Sequence, residues 1–134
     1  MSGAAKAVLR RYIDAYNRAA YDEIDDLVTS DYVHRNNADA LTLAQFKRGA
    51  AWIRAGLPDF ALEIADLIAE GDRVAARWIG RGTHAASLFG EPVSGRTITL
   101  YGMTVYRFEA GRIAEDWEAM DEADLRRQVG VLSD

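Results

Sequence analysis

The apolar positions in the first half of the chain recur with helical spacing. Over Lys6–Arg18 they come every three or four residues, which places them on one face of an amphipathic helix. A second, shorter helix is predicted over Tyr21–Val28, with its apolar residues turned inward. The segment Thr42–Gln45 has the hydroxyl and amide side chains of a capping box, so a third helix is predicted to begin there. Gly56 then ends that helix.

The second half of the chain alternates between apolar and polar or small residues instead. Phe60–Ala65 and Val74–Ile79 have this two-residue period, which is typical of strands with one buried face. Thr97–Phe108 is the longest strand candidate, since it is rich in β-branched and aromatic residues. Gly80–Arg96 is predicted to be a glycine-containing connection. A hairpin turn then leads to a last strand over Ile113–Met120.

A short closing helix is predicted over Asp121–Val129. The order of three helices, about four antiparallel strands and one helix indicates an α+β protein. We expect a single domain over residues 1–134. A curved antiparallel sheet with the three N-terminal helices over its concave face would enclose a conical cavity, which is a natural place for a ligand.

Composition excludes several classes of chemistry. The 134 residues include 21 acidic and 16 basic ones, so the net charge of −5 disfavours nucleic-acid binding. There is no cysteine, which removes thiol nucleophiles, zinc–thiolate sites and iron–sulfur clusters. The two histidines, His34 and His84, are far apart in sequence, so no metal or cofactor is expected. No apolar run is long enough for a membrane span or a signal peptide, and we expect a cytoplasmic protein.

Several segments, spread in order over most of the chain, resemble one family. They are Ala15-Tyr16-Asn17, Asp31-Tyr32-Val33-His34, Leu57-Pro58-Asp59-Phe60, Leu67-Ile68-Ala69-Glu70-Gly71-Asp72-Arg73-Val74, Arg81-Gly82-Thr83-His84, Phe89-Gly90-Glu91-Pro92-Val93-Ser94-Gly95-Arg96 and Gly111-Arg112-Ile113, followed by Trp117, Asp121 and Gln128-Val129-Gly130. In these segments the chain resembles the SnoaL-like polyketide cyclases of the NTF2-like superfamily. The resemblance implies a cone-shaped α+β barrel and a homodimer formed through the sheet.

The resemblance also implies a mechanism without metal or cofactor. Characterised cyclases of this family close a polyketide ring by intramolecular aldol condensation, with a carboxylate on the last strand as acid and base. Glu118 stands at that position in this chain, although those cyclases have an aspartate there. Thr104 stands where they have a histidine on the preceding strand. Tyr16 matches a tyrosine that lines the pocket in some members.

The carboxylates around the last strand are the main catalytic candidates. Asp116, Glu118 and Met120 share one face of that strand, and the family alignment favours Glu118 facing the cavity. Burial among apolar groups would raise the pKa of such a carboxylate towards neutral pH, where it can act as a base. The alternative is a solvated glutamate. Asp121 is either a helix N-cap or a second carboxylate at the cavity mouth.

The remaining candidates line the expected pocket. His34 is predicted to carry a proton in the pocket, or else to lie in a surface loop. His84 is predicted to be structural or to lie at the pocket rim. A planar substrate needs flat apolar walls with polar tips. The residues proposed for binding it are Tyr16, Trp52, Trp78, Tyr101, Thr104 and Asp116.

These observations leave three hypotheses for the function. The first is a cofactor-independent cyclase that closes the ring of an aromatic polyketide by carboxylate catalysis. The second is a related biosynthetic enzyme that uses the same pocket for hydroxylation-related chemistry, isomerisation, dehydration or epoxide opening. The third is a non-catalytic protein that binds a small apolar or aromatic molecule in its cavity.

Overall fold

A computed structural model describes residues 2–130 of the chain and confirms the α+β class. The elements follow in the order α1 (Ser2–Asn17), a 3₁₀ helix (Tyr21–Asp26), β1 (Val28–Asn36), β2 (Asp39–Thr42), α2 (Leu43–Gly56), β3 (Ala61–Glu70), β4 (Arg73–Thr83), β5 (Thr97–Glu109), β6 (Arg112–Met120) and α3 (Glu122–Val129). The second predicted helix is thus a single 3₁₀ segment, but its apolar residues Ile24, Leu27 and Val28 are buried as expected.

The six strands form one curved sheet in the order β2-β1-β6-β5-β4-β3. It has two more strands than the four predicted, and β1 pairs with β6 in parallel while the other pairs are antiparallel. In that parallel pair His34 lies opposite Asp116, and Asn36 lies opposite Glu118. The sequence predicts only a short extended segment over Asp31–Asn36 within β1, because three of the nine residues of this strand are buried and they do not alternate regularly with exposed ones.

The end of α1 is joined to both α2 and the sheet by side chains. Arg54, in the last turn of α2, donates hydrogen bonds to the backbone carbonyls of Tyr16 (3.2 Å) and Phe60 (2.8 Å). Asn17 makes two hydrogen bonds to the backbone of Leu62 in β3, one as a donor (2.9 Å) and one as an acceptor (2.8 Å). These bonds satisfy backbone groups at the end of the helix and hold Tyr16 over the sheet.

The residues of strand β5 show which face of the sheet is the inner one and which is the outer one. Its buried residues alternate with exposed ones, so Leu100, Thr104 and Tyr106 lie inside, while Tyr101 and Met103 lie outside. This is the period of two that every strand imposes on its side chains. The inner face packs against the helices and forms the wall of a cavity.

Close packing requires a glycine at one position of this inner face. The indole of Trp78 in β4 lies directly over Gly102 in β5, and a Cβ atom at Gly102 would come within 2.1 Å of that ring. The absence of a side chain at Gly102 therefore lets Trp78 lie flat on the sheet.

The predicted connection over residues 80–96 is shorter than expected. Strand β4 continues through Gly80 and Gly82 to Thr83 because the side chains of Leu57 and Phe60 pack over the two glycines. A loop over residues 84–96 remains. In the described part of the chain, residues 2–130, no helix is long and apolar enough to cross a membrane.

Candidate active site

A cavity of about 220 Å³ lies between the helices and the inner face of the sheet. Most of its wall is apolar and consists of Ile13, Leu41, Phe46, Ala50, Ile53, Phe60, Leu62, Phe89, Leu100, Met120 and Leu125. The side chains in its wall that carry polar atoms are Tyr12, Tyr16, His34, Asn36, Trp52, Trp78, Tyr106, Asp116, Glu118 and Glu122. A few polar groups among aromatic and aliphatic ones are typical of a small-molecule site.

His34 lies between two carboxylates in the wall of this cavity. Its side chain is only 6% exposed, and its ring packs edge-on against Phe46, with 4.8 Å between ring centroids. Nδ1 is 2.5 Å from Oδ1 of Asp116, and Nε2 is 3.8 Å from Oε2 of Glu118. The parallel pairing of β1 with β6 produces this arrangement, because it sets the three side chains side by side on one face.

Asp116 is completely buried and is held from its other side as well. The hydroxyl of Tyr32 donates a hydrogen bond to Oδ2 of Asp116, and the hydroxyl of Tyr12 lies 3.4 Å from that of Tyr32. Tyr12, Tyr32, Asp116 and His34 therefore form a continuous chain of polar contacts. Buried polar groups are tolerated when they satisfy one another in this way.

The pKa values of the groups in the cavity follow from burial and from these neighbours. Burial raises the pKa of Glu118, and the charge of Asp116 adds to that effect while His34 opposes it. Burial alone would lower the pKa of His34, but its hydrogen bond to Asp116 and the charges of Asp116 and Glu118 raise it overall. Burial also raises the pKa of Tyr16, and the charge of Glu118 raises it further, so its hydroxyl stays protonated.

The aromatic residues expected in the pocket are divided between its wall and the surface. Tyr16 and Trp78 lie in the cavity wall. Trp52 lies there too, but it remains 46% exposed and contacts Phe89 edge-on, with 4.8 Å between the ring centroids. Tyr101 is 63% exposed on the outer face of the sheet, so its proposed contact with a ligand in the cavity is wrong. It stands an odd number of residues from Thr104, and strand geometry therefore turns it outwards.

Two further expected residues have other partners. The hydroxyl of Thr104 is buried and accepts a hydrogen bond from Nε1 of Trp78 at 3.0 Å, so it fixes the indole and is not part of the cavity wall. Asp121 caps α3, since its carboxylate accepts a hydrogen bond from the backbone N–H of Asp124 at 2.9 Å. It also lies outside the cavity wall, which agrees with the helix-capping interpretation.

His84 is the first residue of the loop over residues 84–96. It is fully buried, and its Nδ1 contacts the hydroxyl of Ser94 at 2.8 Å. Its backbone N–H donates to the carbonyl of Arg96 at 2.9 Å. These contacts tie the two ends of the loop together, and His84 does not line the cavity.

Sequence reasoning missed Tyr32 and Tyr12 as members of the site. Tyr32 and His34 are two residues apart on β1, so strand parity would have placed them on one face once β1 was known. Tyr12 lies on the apolar face predicted for the first helix, and the helical spacing gives no sign of a polar role. Among residues 2–130, no group of three or more histidines and carboxylates is placed to hold a metal ion.

A small α+β protein with a helix-covered sheet around an internal cavity defines a broad structural class. Comparison with known proteins narrows that class, because residues 6–129 match the family described as SnoaL-like polyketide cyclase. The chain therefore belongs to the SnoaL-like polyketide cyclase family, and its fold is NTF2-like.

Individual relatives agree with this assignment. The chain is 25% identical over 128 residues to the aklanonic acid methyl ester cyclase AcmA of Streptomyces galilaeus, a match that covers 92% of this chain and 89% of AcmA. Among solved structures, AclR of the same organism, a proposed hydroxylase, superposes with a TM-score of 0.92 at 25% identity, over 100% of this chain and 85% of AclR. TsrD of Streptomyces laurentii superposes with a TM-score of 0.84 at 26% identity, over 97% of each chain.

Proposed function

We propose that this protein is a cofactor-independent cyclase that closes a ring of an aromatic polyketide by intramolecular aldol condensation. Glu118 is the base that removes a proton from a carbon next to a carbonyl group. The observation that carries this proposal is the position of Glu118, whose side chain is 21% exposed in the wall of a largely apolar cavity. There it reaches the interior space but is screened from bulk water.

Burial suits Glu118 to this chemistry. A general base works best when its pKa approaches the pH of the reaction, and burial raises the pKa of Glu118 in that direction. A positioned base of this kind contributes roughly 10²–10⁴-fold in rate. The aromatic walls contribute by holding the substrate in the folded conformation from which the ring closes.

The substrate class follows from the wall of the cavity and from the named relative. Tyr16 and Trp78 supply flat surfaces that suit a planar, polycyclic molecule. AcmA is named as the cyclase of aklanonic acid methyl ester, and we propose an aromatic polyketide of similar type as the substrate here.

Replacement of Glu118 by Gln tests the proposal. The amide keeps the shape of the side chain but cannot take up the proton, so turnover of aromatic polyketide precursors should fall at least about 100-fold. Glu63→Gln is the matched control, because Glu63 is an exposed glutamate that pairs with Arg81 on β4. Retained turnover in Glu118→Gln would refute the role of Glu118. Lost turnover with retained substrate affinity would separate catalysis from simple binding.

A second candidate is a hydroxylation-related activity, which the superposition with AclR favours. Product mass separates the two possibilities. The ring-closing step is an aldol addition without loss of water, so its product is an isomer of equal mass, whereas hydroxylation adds an oxygen atom. Mass spectrometry of the product from purified protein therefore decides between them.

We also propose that the protein forms a homodimer through the outer face of the sheet. The support is a set of exposed apolar side chains on the outer face of β3 and β5, namely Ile68, Tyr101 and Met103, which are 57–68% exposed in the single chain. Exposed apolar side chains of this size are typical of protein interfaces when they are grouped on one surface. Met103→Glu should shift the mass measured by light scattering from dimer to monomer, whereas an unchanged dimer would place the interface elsewhere.

A further inference from the structure

His34 makes a different contact with each of its two ring nitrogens. Nδ1 contacts Asp116, which is fully buried, and Nε2 is directed towards Glu118, which is partly exposed in the cavity wall. One nitrogen therefore has a fixed, dry partner. The other faces the space in which a substrate would lie.

The contacts of Asp116 determine which nitrogen keeps its proton. An ionised carboxylate only accepts hydrogen bonds. Asp116 accepts one at Oδ2 from the hydroxyl of Tyr32, and Nδ1 of His34 lies at its Oδ1. Burial raises the pKa of Tyr32 well above its usual value, so that hydroxyl remains a donor. Nδ1 of His34 is then the second donor, and Nε2 is the nitrogen that gains and loses a proton.

We propose that Asp116 and Tyr32 position His34 so that its Nε2–H is the proton donor for the ring closure in which Glu118 is the base. The inference rests on the function proposed above and adds a second group to its chemistry. Asp116 and Tyr32 act through His34 and are positioning residues.

Each proton and electron pair has a place in this reaction. The carboxylate of Glu118 takes a proton from the carbon beside one carbonyl of the substrate, and the C–H electron pair forms an enolate. The enolate carbon bonds to a second carbonyl carbon of the same molecule, and the π pair of that carbonyl moves to its oxygen. This oxygen then takes the proton from Nε2 of His34.

The same geometry restores the starting state. After ring closure Glu118 is a neutral acid and His34 is a neutral imidazole with a free electron pair on Nε2. The two groups are 3.8 Å apart, so the proton can pass from Glu118 to Nε2 directly or through one intervening oxygen. The pair thus returns to carboxylate and imidazolium, and the cyclised product is an isomer of the substrate.

The other groups around His34 favour its charged form. Asp116 and Glu118 on β6 are its ionisable neighbours, Phe46 on α2 covers its ring, and Tyr32 on β1 reaches it through Asp116. Tyr12 on α1 and Tyr106 on β5 complete this part of the wall, and burial keeps both hydroxyls protonated. In the described part of the chain, residues 2–130, no lysine or arginine lines the cavity.

Nuclear magnetic resonance of the imidazole groups tests the positioning without any substrate. The chain has only two histidines, and His84, which contacts Ser94 away from the cavity, serves as an internal reference. We expect neutral His34 to carry its hydrogen on Nδ1. In Asp116→Asn the titration midpoint of His34 should fall by about one pH unit or more, because the carboxylate that raises its pKa is lost. A hydrogen on Nε2 of the neutral ring, or an unchanged midpoint, would overturn the proposal.

Two further variants extend the test. Tyr32→Phe removes a hydroxyl but no charge, so it should leave His34 bound to Asp116, with a smaller change in the midpoint than Asp116→Asn. This variant also keeps the test decisive if Asp116→Asn does not fold, because neutral His34 should still carry its hydrogen on Nδ1, and a hydrogen on Nε2 would contradict the proposal. The activity of the unaltered protein should fall at alkaline pH, because His34 then loses the proton on Nε2. His34→Gln should lower kcat at least about 100-fold and should not show this alkaline fall.

The outcomes separate this inference from the function on which it rests. If Glu118→Gln keeps full activity, the proposed base is wrong. If Glu118→Gln is inactive but His34→Gln keeps both its kcat and its alkaline limb, the base stands and the proton donor proposed here is refuted.

Discussion

The imidazole Nε2 of His34 lies 3.8 Å from the carboxylate Oε2 of Glu118 in the wall of the cavity. The two residues belong to β1 and β6, which pair in parallel, with Asn36 rather than His34 directly opposite Glu118. Their side chains meet because both point to the face that the helices cover. An imidazole and a carboxylate are thereby held together in the wall of a largely apolar cavity.

The buried charge of Glu118 should reduce the stability of the protein at neutral pH. Its pKa in the folded protein is raised, mainly by burial, so the folded state favours the protonated form. The contribution of Glu118 to stability should therefore be fully present below the ordinary glutamate pKa of about 4.3 and should be lost as the pH rises through the raised value. Glu118→Gln has no such charge, so its advantage in free energy of unfolding should grow between pH 4 and pH 7. Urea denaturation at both pH values measures it.

The exposed Glu63 provides the control for this experiment. Glu63→Gln removes a glutamate from a surface ion pair with Arg81, so its effect should vary little over the same pH range. An advantage of Glu118→Gln that is constant with pH would show that the effect comes from packing rather than from ionisation.

Loss of the charge of Asp116 should destabilise the fold strongly. Asp116→Asn leaves His34 and Tyr32 without their anionic acceptor in a dry environment, and the expected loss is about 3 kcal/mol in free energy of unfolding. Asp66→Asn breaks an exposed pair with Arg77 and should cost at most about 1 kcal/mol. Equal losses in the two variants, measured by urea denaturation, would contradict the structural role of Asp116.

Gly102 should tolerate no side chain. In Gly102→Ala the new Cβ would overlap the ring of Trp78, so we expect a loss of about 1–3 kcal/mol and a changed tryptophan fluorescence spectrum. Gly49 lies in α2 with no atom near its would-be Cβ, and Gly49→Ala should instead stabilise the protein by about 0.5–1 kcal/mol. A neutral Gly102→Ala would show that Trp78 can move off the sheet without cost.

The hydroxyl of Tyr16 should contribute to ligand binding, and that of Tyr101 should not. Tyr16 lies in the cavity wall, and its hydroxyl stays protonated and able to donate. Tyr16→Phe should weaken substrate affinity by about 1 kcal/mol, which is roughly fivefold. Tyr101→Phe changes an exposed residue on the outer face and should leave affinity unchanged. Titration calorimetry with an aromatic polyketide ester measures the affinity of both variants. An equal loss of affinity in the two would show that the ligand does not bind in this cavity.

Asp121 should affect stability but not catalysis. Asp121→Ala removes the cap of α3 and should cost about 1 kcal/mol, while Asp121→Asn keeps a capping oxygen and should cost less. Both variants should keep kcat near that of the unaltered protein once folded. A large fall in kcat for Asp121→Asn, together with an unchanged kcat for Glu118→Gln, would identify Asp121 as the base.

The alternation of side chains between the two faces of each strand could be predicted from the sequence. The shared face of Asp116, Glu118 and Met120 follows from the period of two and is confirmed, since all three line the cavity. The same parity, applied to β5, separates Tyr101 from Thr104. Tyr101 was proposed for the pocket because it is aromatic, and strand geometry alone would have excluded it.

The hydrogen-bond partners of polar side chains were less predictable. Thr104 has the polarity of a ligand contact, but its hydroxyl is satisfied by Trp78, a residue 26 positions away. Asp121 has the composition of both a cap and a catalytic group, and only its contact with Asp124 distinguishes the two. Residue type limits what a side chain can do, whereas its neighbours determine what it does.

The amino-acid sequence by itself determined the α+β class and the alternating faces of β5 and β6, because helix and strand periods are local. The resemblance to the family was also legible in the sequence, and it favoured the inner face for Glu118, but the tertiary structure decided which face of β6 lines the cavity. Only the tertiary structure decided that His34 lies between Asp116 and Glu118. His34 and Asp116 are 82 residues apart, and they meet through the parallel register of β1 with β6. No local pattern encodes that register, because it depends on how the whole sheet closes around the helices.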